Sequence, residues 1–327
     1  MSEILNSGMI ESRDFEQHSE ALAPVWQVNF NQLSKGSFQA DLQYLQTNSF
    51  LLYTEQWNQR LQVEGESPEG YLMLGATSAP DFIWDGSPVR HNQLAFKHSK
   101  EALDFSISGN HTVILVPHEN LSAIIGEERS HALLSNEHMI SSDTSISTEF
   151  SRTVRQLVEG YHRSTRVNHK AKIAAQVDLE VSNLLNNVVH LESNEQRQND
   201  QSFRRASLVR ALHLTRNLRH PVAIAELAKW VGVSQRTLES AFLDSFGIPP
   251  TRYLRRMRLN QVRRDLRHSS ATNTTITKIG SNWGFSELGR MAVEYRQLFG
   301  ESPSETLAAS PRHTESGLPT EMATQAT

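Results

Sequence analysis

One pattern occurs twice in this chain, and the repeat restricts its C-terminal third to a helical domain built from two similar halves. In the first copy, residues 224–247 read IAELAKWVGVSQRTLESAFLDSFG. Ile224, Leu227, Ala228 and Val231 recur at helical spacing, and Gly232 can take the positive φ that ends a helix and turns the chain. Ser234 is a good N-cap for a second helix. There Leu238, Phe242 and Phe246 recur every four residues, which sets an apolar face against the first helix and leaves Gln235, Arg236, Glu239 and Ser240 opposite. In the second copy, Gly280 and Gly284 stand four apart, as Ala228 and Gly232 do. Leu238, Phe242, Phe246-Gly247 and Pro249 are answered by Met291, Tyr295, Phe299-Gly300 and Pro303. A small residue at 228 and 280 lets two crossing helices approach closely, and one extra residue lengthens the second turn. A lone helical hairpin is a common pattern; its duplication gives it weight.

Between the copies lies the basic stretch TRYLRRMRLNQVRRDLRH, from about Thr251 to His268. As a helix it spans roughly 27 Å, at about 1.5 Å per residue. That approaches the roughly 34 Å between successive major-groove faces on one side of B-DNA. Residues 201–312 hold 18 Lys and Arg against 8 Asp and Glu, a net of +10, while the whole chain is at -4 and the remainder therefore at -14. A basic third beside an acidic two-thirds points to nucleic acid. The polar face of each second helix has the form of a recognition helix, and the arginines of the joining helix cannot all face a core, so some are expected on phosphates.

The 327 residues allow two domains. The chain has no cysteine, which excludes a disulfide framework, a thiolate zinc site and a cysteine nucleophile. The acidic start MSEILNSGMIESRDFEQ is no signal peptide, and no apolar run approaches the roughly 20 residues that span a bilayer, so a cytoplasmic, nucleoid-associated location is expected. Residues 1–20 read as a mobile lead-in and 21–191 as a first, β-rich domain with helices. A linker at 192–206 follows, with ESNEQRQNDQS unable to bury itself, then the DNA-binding domain at 207–308 and a disordered tail at 309–327. From about Val25 to Val116, short alternating runs such as FQADLQYLQ, SFLLYTEQW, QRLQVEG, LDFSISG and HTVILV, separated by turn signals including Asn110, predict a small barrel or double-sheet jelly roll. Such a barrel can enclose one small ligand, an effector if the chain is a regulator, and Trp26, Trp57, Tyr71 and Trp84 are candidates to line that pocket, with core filling as the alternative. His91, His98, His111 and His118 lack an H-x-H pair and nearby acidic partners, so no metal site or cofactor is expected. Residues 120–165 read as helical. At 170–191, Ile173, Val177, Val181, Leu184, Leu185, Val188 and Leu191 form a stripe, packed within the domain or forming a homodimer seam.

GVSQRTLESAFLDSFGIPPTRYLRRMRLNQVRRDL, followed by WGFSELGRMAVEYRQLFGESPSETL, resembles the two-helix-turn-helix domain of AraC/XylS-family transcription regulators over residues 207–308. The ending looks closest to the branch that includes ethanolamine-utilisation regulators, and the N-terminal part is more distantly similar to the family's cupin-like sensor domains. The fold this implies is α+β with two domains: a β-rich cupin-like or jelly-roll sensor with helices, then an all-α domain with two helix-turn-helix motifs on a long helix. The resemblance implies a transcription activator that binds double-stranded promoter DNA and RNA polymerase, responds to an unidentified small molecule and forms a homodimer. It places base contacts at Arg236, Glu239 and Ser240 in the first helix and at Leu288 and Arg290 in the second, where Gly289, Ala292 and Val293 read as packing positions. Phosphate contacts fall to Gln235, Arg255, Arg256 and Arg263. The first helix has the stronger reading chemistry, since Arg can take guanine O6/N7 and Glu can accept from cytosine N4. Two rival readings remain: a cupin-type metal-dependent enzyme fused to a regulatory tail, and an interaction module that has lost DNA binding.

Overall fold

A computed structural model describes residues 4–23, 27–66, 68–78, 82–84, 87–89, 93–98, 102–135, 138–140, 144–189, 199–216, 218–269 and 274–309. Strand β1 (Asn6–Ser12) and helix α1 (Phe15–Leu22) come first. They are followed by β2 (Gln27–Gln32), β3 (Ala40–Gln46), β4 (Leu51–Glu66), β5 (Tyr71–Thr77), β6 (Phe82–Trp84), β7 (Ser87–Val89), β8 (Leu94–His98) and β9 (Ala102–Pro117). Next come α2 (His118–Ile125), α3 (Glu127–Leu134), a short β10 (His138–Ile140), α4 (Thr144–Arg163) and α5 (Val167–Val189). The C-terminal part holds α6 (Asn199–Thr215), α7 (Ile224–Val231), α8 (Gln235–Phe246), α9 (Pro250–Arg267), α10 (Ile276–Asn282), α11 (Leu288–Phe299) and α12 (Pro303–Ala308).

The described strands pair antiparallel in the order β1-β3-β4-β9-β5-β8-β10. β3 and β2 share one edge of β4 end to end, and the small β6–β7 hairpin lies against β9. The runs read as SFLLYTEQW and QRLQVEG are one strand, as are LDFSISG and HTVILV. Asn110 is no turn; it sits in the ladder opposite Gln56. A bulge between Trp57 and Leu61 absorbs the break in alternation that makes each long strand look like two. β10 interrupts the stretch expected to be wholly helical.

The start of the chain also departs from expectation. Residues 6–22 are not a mobile lead-in: β1 pairs with β3 from Asn6↔Gln46 to Ser12↔Ala40, and Asp14 caps α1 by accepting from the Glu16 and Gln17 amides at 2.8 and 3.2 Å. Acidic residues there are balanced by arginines some 250 positions away, a compensation that local composition does not reveal. The expected linker is shorter at its C-terminal end, because α6 begins at Asn199; residues 190–198 lie outside the described residues, as do 310–327.

Among the described residues, three apolar clusters organise the fold. The sheet's outer face, with Leu52, Leu72, Leu74, Ile114 and Val116, is covered by α2, α4 and α5, and Ile173, Val177, Val181, Leu184 and Leu185 pack there. These five positions of the stripe are thus used inside their own domain, while the side chain of Val188 and residue Leu191 lie outside the described residues. The inner face, with Tyr44, Leu51, Tyr53, Trp57, Leu61 and Met73, continues into α9–α11 through Leu259, Val262, Leu266, Met291, Tyr295 and Phe299. A third cluster joins α6, α7, α8 and the first half of α9, with Leu33 reaching in from the loop after β2.

Within the inner-face cluster His111 is 5% exposed and packs on Trp57 with ring centroids 4.4 Å apart; neither ring nitrogen has a hydrogen-bond partner. Burial holds its pKa down to about 3. The folded chain keeps this ring neutral while the unfolded chain protonates it near 6.5. Its contribution to stability is therefore complete above pH 6.5 and is lost as pH falls towards 3, at about 1.4 kcal/mol per unit. Urea unfolding of the wild type at pH 7.0 and 5.0 should show a loss about 2 kcal/mol larger than that of His111→Leu; equal losses would place the acid sensitivity elsewhere.

Candidate nucleic-acid interface

The first repeat folds as its sequence requires. Gly232 takes φ +81, and its amide and that of Val233 both return to Ala228 O at 2.9 Å, closing α7. Ser234 caps α8 by accepting from the Thr237 amide at 3.1 Å. In the second repeat Thr275 caps α10 through the Lys278 amide at 3.2 Å, and the turn at Trp283–Gly284 ends with the Phe285 amide on Gly280 O at 3.0 Å. A Cβ on Gly280 would meet Leu288 Cδ2 and Met291 Sδ at 2.8 Å, so α10 and α11 cross where only glycine avoids displacing those side chains. Ser302 and Glu305 form a reciprocal capping box on α12.

α9 bridges the two hairpins. Pro250 at its first turn fixes the entry φ without losing a helical hydrogen bond. Tyr253, Leu254 and Met257 pack on the first hairpin, and Leu259, Val262 and Leu266 pack towards the second. Arg258 is buried over the Phe285 ring at 5.0 Å and donates to Trp283 O at 3.3 Å, tying the helix to the second turn.

On α8, Gln235 and Arg236 are exposed, while Glu239 and Ser240 are half-buried beside them; Gln235 Nε2 donates to Glu239 Oε1 at 2.8 Å. On α11, Arg290 is exposed and its Nε donates to Glu294 Oε1 at 3.0 Å. Leu288 is half-buried against the inner-face cluster. Gly289 and Val293 differ from the expected packing role: Gly289 faces open space and Val293 is 58% exposed. Glu294 also receives Arg255 Nε. Burial raises the Glu294 carboxyl, but its hydrogen bonds and charge pairing with Arg255 and Arg290 outweigh that and hold it below its usual range.

The arginines expected on phosphates are differently employed. Arg255 is half-buried on Glu294, and Arg256 is half-buried with Nη1 donating to Leu33 O. Arg263 is 4% exposed and enclosed: it pairs with Asp14, reaches Glu301 at 3.0 Å and Glu16 at 3.6 Å, and lies over the rings of Phe15 and Phe299. A phosphate contact from Arg263 is incompatible with this placement. The acidic residues Asp14 and Glu16, at the start of α1, cover this part of α9. Besides Arg236 and Arg290, the exposed Lys and Arg side chains among the described residues of the helical part are Arg210, Arg219, Lys229, Arg252, Lys278 and Arg296.

Sequence reasoning missed Asn260, which is fully buried. Its Oδ1 accepts from the Gln32 amide at 2.8 Å, and its Nδ2 donates to Gln32 O at 3.0 Å and Arg256 O at 2.9 Å. The side-chain amide thus acts as a strand partner for the end of β2. Gln32 Nε2 in turn donates to Leu298 O at 2.6 Å, and the Gly36 amide reaches the same oxygen at 3.0 Å. The available signal was one uncharged polar residue at a core position of an arginine-rich helix.

Among the described residues, two of the four aromatic effector candidates are packed into the core. Trp57 is 4% exposed, packed between Phe30, His18 and His111, and Tyr71 is buried in the same cluster. Trp26 lies outside the described residues, as does the side chain of Trp84. His91 is likewise outside them. Among the described residues no group of three or more His, Asp or Glu is placed to hold a metal ion, and no helix is long and apolar enough to cross a membrane.

Residues 227–309 match a family described as a helix-turn-helix domain. Over 99 residues the chain is 39% identical to the probable thc operon regulatory protein of Rhodococcus erythropolis, covering 30% of either chain. Over 91 residues it is 38% identical to the XylDLEGF operon transcriptional activator of Pseudomonas putida, covering 28% of either. A solved probable AraC family transcriptional regulator from Rhodopseudomonas palustris is 36% identical over 32% of this chain and 98% of that one, with a TM-score of 0.30. The chain spans about three tenths of the length of the curated relatives it matches.

Proposed function

Through its C-terminal helix-turn-helix domain the chain belongs to the AraC-type transcriptional regulators, and from that premise we propose that it is a sequence-specific, double-stranded-DNA-binding activator governed by its N-terminal β-rich domain. The observation that carries the reading is the pair of hairpins joined by one helix, with Gln235 and Arg236 exposed at the start of α8 and Arg290 exposed in the first turn of α11. Arg236 takes guanine O6/N7, Glu239 accepts from cytosine N4 and Ser240 makes a further edge contact. On α11, Arg290 supplies the charged contact, with Leu288 and the exposed Val293 touching thymine methyls. Gln235 holds a phosphate. Arg255 and Arg256 reach phosphates only on leaving Glu294 and Leu33 O, and Lys229, Arg252, Lys278 and Arg296 add to the electrostatic footprint.

The β-rich domain is a sensor of cupin-like or jelly-roll type. Its loop after β2, its Asp14 and Glu16 and its Gln32 grip α9 and α11 directly, so a small molecule that shifts the sheet shifts the spacing of the two hairpins. RNA polymerase, a second copy of the chain and a nucleoid-associated, cytoplasmic location complete this reading. Names of the two curated relatives, an operon regulator and an operon activator, support the activator role.

Selection of bound duplexes from a random pool by the full chain tests it. Two short half-sites centred about one helical turn apart are expected. A pool without enrichment would leave the helical domain as an interaction module.

A further inference from the structure

We infer that the outer side of α4 forms a binding groove for a small hydroxylated organic anion, such as a hydroxy acid or a sugar phosphate. As the effector site of the regulator it rests on the reading above; as a binding site it stands on its own geometry. Phe150, Val154, Leu157 and Val158 anchor one side of α4 to the sheet. Its other side and the end of the sheet enclose a groove of about 550 Å³, within the roughly 300–1,000 Å³ of small-molecule sites.

The chemistry of this groove differs from that of the aromatic cluster around Trp57. The sheet contributes Thr77, Ser78, Asn110 and Thr112, and α4 contributes hydroxyls, Gln156 and the charges of Arg152, Arg155, Glu159 and Arg163. Three guanidiniums face one carboxylate. Glu159 lies 3.5 Å from Arg155 Nε and also pairs with Arg163, so it orients those two rather than neutralising all three. Arg152, one helical turn before Gln156, makes no ion pair or hydrogen bond among the described residues. Thr112 Oγ1 donates to Ser151 Oγ at 3.1 Å, which sets the floor where α4 meets β9.

A second observation points to what fills the groove. Asn110 Oδ1 is buried and has no hydrogen-bond partner. A buried acceptor without a donor is costly, and a ligand hydroxyl would supply one. A merely solvated basic helix face would need neither the concavity nor the orphan acceptor. Carboxylate or phosphate oxygens on Arg152 and Arg155, with a hydroxyl donating to Asn110, satisfy both features.

Isothermal titration of the full chain at low salt, with citrate, tricarballylate and glucose 6-phosphate as probes, tests the site. Citrate or glucose 6-phosphate should bind, with Kd raised about tenfold or more by Arg152→Ala and by Arg155→Ala. Tricarballylate, which is citrate without its hydroxyl, should bind about fivefold or more weakly than citrate. Arg129→Ala, at an exposed position of α3, should change nothing. Absence of binding by both hydroxylated anions, or binding indifferent to Arg152 and Arg155, overturns the assignment. The same samples are titrated with a selected duplex: duplex binding without anion binding sinks the groove alone, and anion binding without duplex binding supports the groove while sinking the regulator.

Discussion

Arg263→Met is expected to lower the stability of the full chain by about 3–5 kcal/mol, the usual cost of removing one partner from a buried ion cluster. The guanidinium is enclosed by Asp14, Glu16 and Glu301 and by two aromatic rings. Burial works against its charge, but the acidic neighbours outweigh this and hold its pKa above the ordinary value. Asp14 is the reciprocal case: burial raises its carboxyl, and Arg263 more than reverses the shift, leaving it low. Its contribution is therefore present above the unfolded carboxylate pKa and is lost as pH falls through the depressed one. In the variant Asp14 keeps Arg267 at 3.6 Å, and Glu16 keeps Arg267 at 3.5 Å and the charge of Arg264. Denaturant unfolding monitored by tryptophan fluorescence measures the loss. Asp14→Asn should cost less, and the double variant should lose much less than the sum of the two singles, because both remove the same interaction. A loss under about 1 kcal/mol for Arg263→Met would mean that the acidic helix α1 does not hold α9 in solution.

Arg236→Ala is expected to weaken binding to the selected duplex by about 1–3 kcal/mol, roughly 5- to 150-fold in Kd, with discrimination relaxed at one base pair. The side chain is exposed at the start of α8, away from the apolar ladder of Leu238, Phe242 and Phe246, so the unfolding midpoint should not move. Arg290→Ala should act in the same direction but more weakly. Its guanidinium must leave Glu294 to reach a base, which offsets part of the contact it makes. Fluorescence anisotropy with the selected duplex and single-base variants of it separates these outcomes. A uniform drop across all sequences would reassign Arg236 to the phosphate backbone.

The helical repeat was legible because its apolar spacing, caps and turn glycines are all local signals, and Gly280 kept its reason when the crossing of α10 and α11 was seen. The long strands β4 and β9 were legible as β structure but not as continuous strands, since the Trp57–Leu61 bulge breaks the alternation that a sequence reader uses as a boundary. Long-range compensation was the least legible. Asp14, Glu16 and Arg263 each look solvated in their own neighbourhood, and Asn260 looks misplaced among arginines until β2 is laid beside it. Two of the four expected effector aromatics were misleading for a related reason. Trp57 and Tyr71 mark the inner face of the sheet, but α1 and the helical domain fill the space before them.

The central claim is that this chain reads DNA sequence through two hairpins on α9. Its most direct test is titration of the full chain against the selected duplex and a scrambled duplex of equal length, repeated from 50 to 200 mM salt. The account predicts a preference of about 10³ or more for the selected duplex, with log Kd for both rising linearly with log salt, as expected when several phosphates are neutralised. Equal affinity for the two duplexes, or binding that does not respond to salt, would contradict it.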